Sequence, residues 1–444
     1  MSVPSVYLVR LGCPKAEADH DGLLSELRQL GAVIADDPED ADTLILSTCA
    51  FLHAARAEAV DTILEGVDWK GAVPGRRLFV TGCMPSRYPQ ELVQELPEVD
   101  GFFPFAEWKQ ALASIVQSKK DQTPDEATHI GQLPRSLEER LFRARTLENP
   151  VFAYIRIAEG CDRRCSYCAI PSFRGPYRSR PEVGILDEAD RLLELGVREL
   201  IVVAQEINSY GHDLGDGSSI ERLLPKLGER AMKAGAWLRI LYTHPPRVTD
   251  TFIDALAATP ALVPYVDFPV EHADDSVLKA MRRGTTWAKM MHAAERMREK
   301  IPHLALRTSI IVGHPCEGEH EFRTMLKRLE EAAFERIGVF RYSPEVGTHA
   351  ATLDAPHDKT AMEREAEALL LAEEIASGWY REQVGSRVEV IAEGVDEDGV
   401  RVGRTVWDAP EVDGIALIDG SLDIGRIADA RITGGEPFEF RVQV

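Results

Sequence analysis

The sequence predicts an α/β protein in three parts: an amino-terminal domain on a parallel sheet, a central partial barrel of six strand–helix units, and a small all-β domain at the carboxyl end. Three observations predict it. Short apolar runs alternate with helical stretches through the first 110 residues. Six further strand candidates, again separated by helical stretches, follow in the middle of the chain. The last 64 residues instead alternate apolar and polar positions in short runs split by Gly and Asp. A length of 444 residues is enough for two or three cores, and 44% hydrophobic with 28% charged residues is a globular composition.

The amino-terminal runs YLVRLGC, LILSTC and LFVTGC each end at a cysteine: Cys13, Cys49 and Cys83. They are 36 and 34 residues apart, about one strand–helix–strand unit. Between them, Glu17 to Leu30 places Leu23, Leu24, Leu27 and Leu30 at helical spacing, and Ala54 to Gly66 is a second helix. Alternating strands and helices imply a parallel sheet, whose strands all end on one edge, where ligands bind. A lone cysteine is usually a small buried hydrophobe. Three at matching strand ends point to a shared metal site. Ser118 to Arg145 is polar, lacks a strand pattern, and reads as a solvated connector.

The middle third opens with VFAYIRIAEG, which runs into Cys161-Asp-Arg-Arg-Cys165-Ser-Tyr-Cys168. Structural zinc sites usually take four ligands from two short pairs. Three closely spaced thiols with no obvious fourth suit a 4Fe-4S cluster that leaves one iron open. Cys161 to Arg180 carries five arginines against one acid; these balance the charge of a thiolate cluster, hold carboxylates, or do both. The strand candidates are 152–158, 200–205, 237–242, 265–270, 306–313 and 336–341, with helices such as Asp187 to Gly196 and Trp287 to Lys300. Catalysis in such barrels sits at the carboxyl ends of strands. Gln205, Glu206, Glu271, His272 and Arg307 lie at or near strand ends and are the candidate cofactor contacts.

Charge and cysteine usage restrict function further. The net charge of −22 disfavours broad nonspecific binding to nucleic acid and favours basic partners. Residues Arg381 to Val444 hold seven basic and fourteen acidic residues. No apolar run is long enough for a membrane span, and MSVPSVYLVRLGC is not a signal peptide, so a cytoplasmic location is expected. Seven cysteines, an odd number, argue for metal or redox chemistry rather than a disulfide scaffold.

With these motifs the sequence resembles the radical S-adenosylmethionine methylthiotransferases over essentially its whole length. The CxxxCxxC segment with Tyr167 before its last cysteine is similar to the radical enzyme signature. The LGC, STC and TGC contexts resemble that family's amino-terminal cluster domain, and the closing β domain resembles its TRAM domain. LGCPK, AEGCDRRCSYCAIPSFRGPYRSRP and GRTVWDAPEVDG resemble the branch that modifies an aspartate of small-subunit ribosomal protein S-twelve. The implied division is a cluster domain at 1–115, a linker at 116–147, a radical core at 148–379 and a TRAM-like domain at 380–444.

The resemblance also implies a chemistry. Cys161, Cys165 and Cys168 would hold a 4Fe-4S cluster whose open iron binds S-adenosylmethionine, and Cys13, Cys49 and Cys83 a second 4Fe-4S cluster. The first would yield a 5′-deoxyadenosyl radical able to take hydrogen from an unactivated carbon, a step beyond side-chain acids and bases. Gln205, Glu206, Glu271 and Arg307 would contact S-adenosylmethionine. Partners would be the basic ribosomal protein, a low-potential electron donor and a sulfur source. The sequence departs from the family at Ala16 to His20, at Glu271-His272 where Gln-His is usual, and at Cys316, which stands where glycine is usual and reads as a free thiol. A tRNA adenosine methylthiotransferase would share every cluster ligand, but a tRNA partner calls for a basic surface. An iron–sulfur electron carrier or zinc-binding interaction protein would need no barrel of this size.

Overall fold

The computed structural model describes residues 4–104, 112 and 151–444. The connector expected at 118–145, like the linker at 116–147, lies outside the described residues. The chain forms two compact units. One gathers the described residues before 149 with 158–163 and 168–184; the other gathers 151–157, 164–167 and 185–444.

The first unit is built on a parallel sheet. Its elements are β1 (Ser5–Arg10), α1 (Pro14–Gln29), β2 (Val33–Ile34), β3 (Thr43–Thr48), α2 (His53–Ala72), β4 (Arg77–Gly82), α3 (Cys83–Arg87), α4 (Pro89–Glu95) and β5 (Gly101–Pro104). The strand order is β2-β1-β3-β4-β5, with every pairing parallel. The three apolar runs are the adjacent strands β1, β3 and β4. All six residues of β3 are buried, as a central parallel strand covered on both faces requires. The two-residue β2 and the four-residue β5 have no counterpart among the sequence predictions, since segments this short carry no legible period. Helix α1 starts three residues earlier than its leucine spacing indicates, with Pro14 in its first turn and extended Cys13 as its N-cap.

The next elements are β6 (Phe152–Arg156), β7 (Ala158–Glu159), α5 (Ile170–Arg174), β8 (Arg178–Ser179) and α6 (Glu182–Glu194). The short antiparallel pair β7–β8 and helix α5 belong to the first unit.

The second unit continues through β9 (Glu199–Val203), α7 (Ile220–Ala234), β10 (Trp237–Ile240), α8 (Asp250–Ala258), β11 (Tyr265–Asp267), α9 (Asp275–Ala280), α10 (Trp287–Lys300), β12 (Ala305–Val312), α11 (Glu319–Ala332), β13 (Arg336–Arg341) and α12 (Asp358–Gln383). Parallel sheets β6-β9-β10 and β11-β12-β13 are linked by a bridge between Leu238 and Leu262. Six strands at the predicted positions therefore form the row of a partial barrel. Helix α12, 26 residues long, is not foreseen from the sequence. Its buried stripe is mainly Ala368, Ala372 and Ala376, ending at Tyr380, and alanines give little periodic contrast.

The carboxyl end is β14 (Arg387–Val395), β15 (Arg401–Thr405), β16 (Ile415–Asp419), β17 (Ile427–Glu436) and β18 (Glu439–Gln443), closed into a five-stranded barrel. Closure leaves no free sheet edge. Among the described residues no helix is long and apolar enough to cross a membrane.

The segment between β15 and β16 bonds to residues of β10, β11 and β13. Val406 O accepts from Arg239 Nη1 at 3.1 Å, Asp408 Oδ1 meets Arg336 Nη2 at 2.5 Å, and Asp413 Oδ2 accepts from Tyr265 Oη at 2.7 Å. Below them Glu199, fully buried at the start of β9, sits between Arg239 Nε and Arg404 Nη2, each at 2.5 Å. Burial opposes its charge, yet the two guanidiniums hold the carboxyl below its ordinary range. Glu199→Gln leaves buried Arg239 without its counter-charge, while Arg404 keeps Glu393 at 2.6 Å, and is expected to cost about 3 kcal/mol. A denaturant titration followed by circular dichroism measures this; an unchanged midpoint would contradict it.

Candidate functional site

In the first unit, parallel pairing brings three thiols to one edge. Register pairs Arg10 with Ser47 and Thr48 with Gly82, so β1, β3 and β4 finish side by side. Cys13 follows β1 by three residues, Cys49 follows β3 directly, and Cys83 follows β4 directly. Gly82 has φ +99°, and a Cβ there would stand 2.4 Å from Thr48 O, so the glycine of TGC is needed to turn the chain into α3. Burial, then the neighbouring Cys83 thiolate, pushes the Cys49 thiol up to about 11. Cys83 is also pushed up by burial, while Arg174 opposes the shift. Cys13 contributes to both, so the three thiols lie within electrostatic reach of one another. Among the described residues no three His, Cys, Asp or Glu side chains converge as a single metal ion requires. An iron–sulfur cluster instead spreads its thiolates over different irons.

Nothing in the sequence marks Arg174, among the five arginines after Cys161, as a partner of these thiols. Arg174 ends α5, is buried, and donates from Nη2 to Cys83 Sγ at 2.9 Å. Its Nη1 pairs with Glu159 at 3.3 Å. A buried guanidinium is the natural counter-charge for thiolates. The arginine excess after Cys161 was the available signal, but it did not tell which arginine turns inward. Gly160, between Glu159 and Cys161, has φ +80°, and a Cβ there would stand 2.2 Å from Pro176 O. The Cys161 amide also donates to Gly175 O at 3.1 Å, which draws 160–161 against 175–176.

In the second unit the candidate contacts gather at carboxyl ends. Gln205 and Glu206 follow β9; Glu206 Oε1 accepts from Ser209 Oγ at 3.0 Å and faces Arg247 Nε at 3.4 Å. Glu271 follows β11 with φ +69°, as Tyr242 follows β10 with φ +67°. Two non-glycine residues in the left-handed region at neighbouring strand ends are strain of the kind that collects at functional sites. Burial raises the Glu271 carboxyl, opposed by Arg283 and by a hydrogen bond with Tyr167. Arg283, another residue the sequence did not single out, is buried and reaches Cys165 Sγ at 3.8 Å, Pro269 O at 2.6 Å and Glu271 at 4.0 Å. Tyr167, Glu271, Arg283 and Cys165 thus form one group.

His272 and Arg307 are placed differently. His272 is buried against Glu317 Oε2 at 3.1 Å, and Glu317 also meets Arg364. Arg307 is the third residue of the eight-residue β12, away from its carboxyl end. It is drawn there by Asp267 at 3.0 Å and Asp413 at 3.4 Å. Cys316 is exposed.

Comparison with known proteins accounts for all three parts. Residues 5–104 match the model described as "Uncharacterized protein family UPF0004", residues 155–329 the Radical SAM superfamily, and residues 384–444 the TRAM domain. The chain is 38% identical over 439 residues to "Ribosomal protein uS12 methylthiotransferase RimO" of Geobacter sulfurreducens, covering 98% of this chain and 97% of that protein. The chain belongs to the RimO family of radical SAM methylthiotransferases. The protein of the same name from Syntrophus aciditrophicus is also 38% identical, over 100% of this chain and 99% of its own. Among solved structures, the radical S-adenosylmethionine methyltransferase TsrM of Kitasatospora setae aligns with a TM-score of 0.57 at 14% identity, over 88% of this chain and 79% of that one. The radical enzyme OxsB aligns with a TM-score of 0.53 at 15% identity, over 91% and 64%. At these identities the structures share the fold. By its curated relatives and its Radical SAM match the protein is a radical SAM methylthiotransferase.

Gly160→Ala forces a Cβ into Pro176 O and is expected to loosen the 158–178 segment. Limited proteolysis is the check: cleavage inside this segment becomes faster than in the parent protein, and an equal rate would count against the close contact.

Proposed function

We propose that the enzyme adds a methylthio group to the β-carbon of an aspartate in ribosomal protein S-twelve, using two 4Fe-4S clusters and two molecules of S-adenosylmethionine. The observation that carries the reading is the set of three thiols at the carboxyl ends of adjacent parallel strands in a chain that also bears CxxxCxxC. The donor set fits: it consists of soft sulfur ligands, and buried Arg174 lies where thiolate charge needs an offset. Cys13, Cys49 and Cys83 hold one cluster. Cys161, Cys165 and Cys168 hold the other, with the open position for S-adenosylmethionine. When bound, that second cluster would supply one-electron chemistry to S-adenosylmethionine, with the low-potential donor as the source of the electron.

The chain's own residues hold and orient. Gln205, Glu206 and Glu271 face S-adenosylmethionine, and Arg307 acts through Asp267, whose Oδ2 accepts from the Tyr242 amide at 2.9 Å. Arg283 keeps Glu271 beside Cys165. Each set has three protein thiols because a fourth ligand would close the iron where cofactor or sulfur must bind. The acidic carboxyl-terminal barrel suits a basic protein substrate, by complementarity that speeds encounter and selects partners. A cytoplasmic enzyme of this kind also needs a low-potential electron donor and a sulfur source.

Cys165→Ala is expected to abolish both deoxyadenosine release and methylthiolation. Cys49→Ala is expected to leave deoxyadenosine release and stop sulfur insertion. Chromatography of deoxyadenosine beside mass spectrometry of the product separates the two; full product from the Cys49 variant would refute the two-cluster assignment. Substrate is tested in cells with and without the protein. Loss of one methylthio mass from ribosomal protein S-twelve with tRNA unchanged is the expected result, and loss from tRNA alone would replace the substrate.

A further inference from the structure

We propose that Arg174 is a positioning residue that ties the Cys83 corner of the amino-terminal cluster to the start of the radical cysteine loop and raises the reduction potential of that cluster. This rests on the two-cluster reading. Three observations within the first unit support it. Arg174 Nη2 donates to Cys83 Sγ at 2.9 Å, the geometry of a charge-assisted bond to a ligand sulfur. Nη1 of the same guanidinium pairs with Glu159, two residues before Cys161. The next residue, Gly175, accepts the Cys161 amide at 3.1 Å. Cys83, Arg174, Glu159 and Cys161 therefore form a continuous connection of short polar contacts.

The connection is rigid on the Arg174 side. Helix α5 packs Phe173, together with Ala169, into the core formed by Leu46, Val80 and Met84, so the guanidinium has little freedom. Phe173 is 3% exposed and Arg174 is 5% exposed. Hydrogen bonds to cluster sulfurs and nearby positive charge stabilise the reduced, more negative cluster and so raise its potential. The relation to Glu159 divides this effect: the carboxylate fixes the guanidinium in place but offsets part of its charge.

The test uses the full chain carrying Cys161→Ala, Cys165→Ala and Cys168→Ala, so that only the amino-terminal cluster is read. Iron is counted after reconstitution, and the midpoint is followed by potentiometric titration with electron paramagnetic resonance. In this background Arg174→Met is expected to lower the midpoint, and Arg174→Lys, which keeps the charge, to lower it less. Arg174→Met takes the Arg174 guanidinium away from buried Glu159, so Arg174→Met with Glu159→Gln is the companion variant; it too is expected to titrate below the parent. A merely structural arginine would change iron retention and leave the midpoint alone. Equal midpoints in the parent and in whichever Arg174→Met variant holds iron would overturn the proposal while the cluster reading stands. A background chain that takes up no iron would overturn the cluster reading, and the proposal with it.

Discussion

The parallel direction of the strands is the constraint on which the rest of the structure depends. Strands pair in parallel within the amino-terminal sheet and, separately, within each sheet of the central row, so in each sheet the carboxyl ends lie on one edge. Residues distant in sequence then become neighbours by register alone. Cys13, Cys49 and Cys83 need only their places after three adjacent strands to share one edge. In the second unit the same constraint separates two tasks. Carboxyl ends carry Glu206, Glu271 and the Arg283 group, while the opposite halves carry the ion pairs to the segment between β15 and β16. The proposed cofactor contacts and the stabilising ion pairs thus lie toward opposite ends of the central strands.

The electrostatics follow one pattern on both sides of the chain's division. Arg174 is shared between a thiol and a carboxylate, Cys83 and Glu159. Arg283 is likewise shared between Cys165 and Glu271. A thiolate cluster needs positive charge nearby, but a guanidinium buried alone is costly. A carboxylate on its far side resolves the conflict and fixes the orientation of the planar fork. The price is that each of these arginines is locked to one geometry.

Much of this was legible in the residues, for identifiable reasons. Strands β1, β3, β4 and the six of the central row are rich in apolar residues and alternate with helical stretches at regular spacing, which points to the parallel architecture. The alternating pattern after Arg381 gave the terminal β domain, although closure into a barrel depends on β14 pairing with β17 across more than thirty residues. The shortest strands and the alanine-striped α12 escaped because neither has periodic contrast. Individual cysteines were visible from spacing. Arg174 and Arg283 were not assigned as partners of those cysteines, since an arginine in sequence does not reveal whether it turns toward solvent or a buried thiol. Arg307 shows the converse: its place within the strand and its two carboxylate partners are set by tertiary pairing that composition does not record.

The path of the chain through the cysteine loop has a consequence for modularity. Residues 158–163 and 168–184 are assigned to one compact unit, while 164–167 between them belong to the other. Cys161 and Cys168 thus fall on one side of this division and Cys165 on the other. No single cut of the backbone yields either unit whole. An exchange of one unit for a foreign counterpart would therefore need several backbone junctions, some of them inside the cysteine loop.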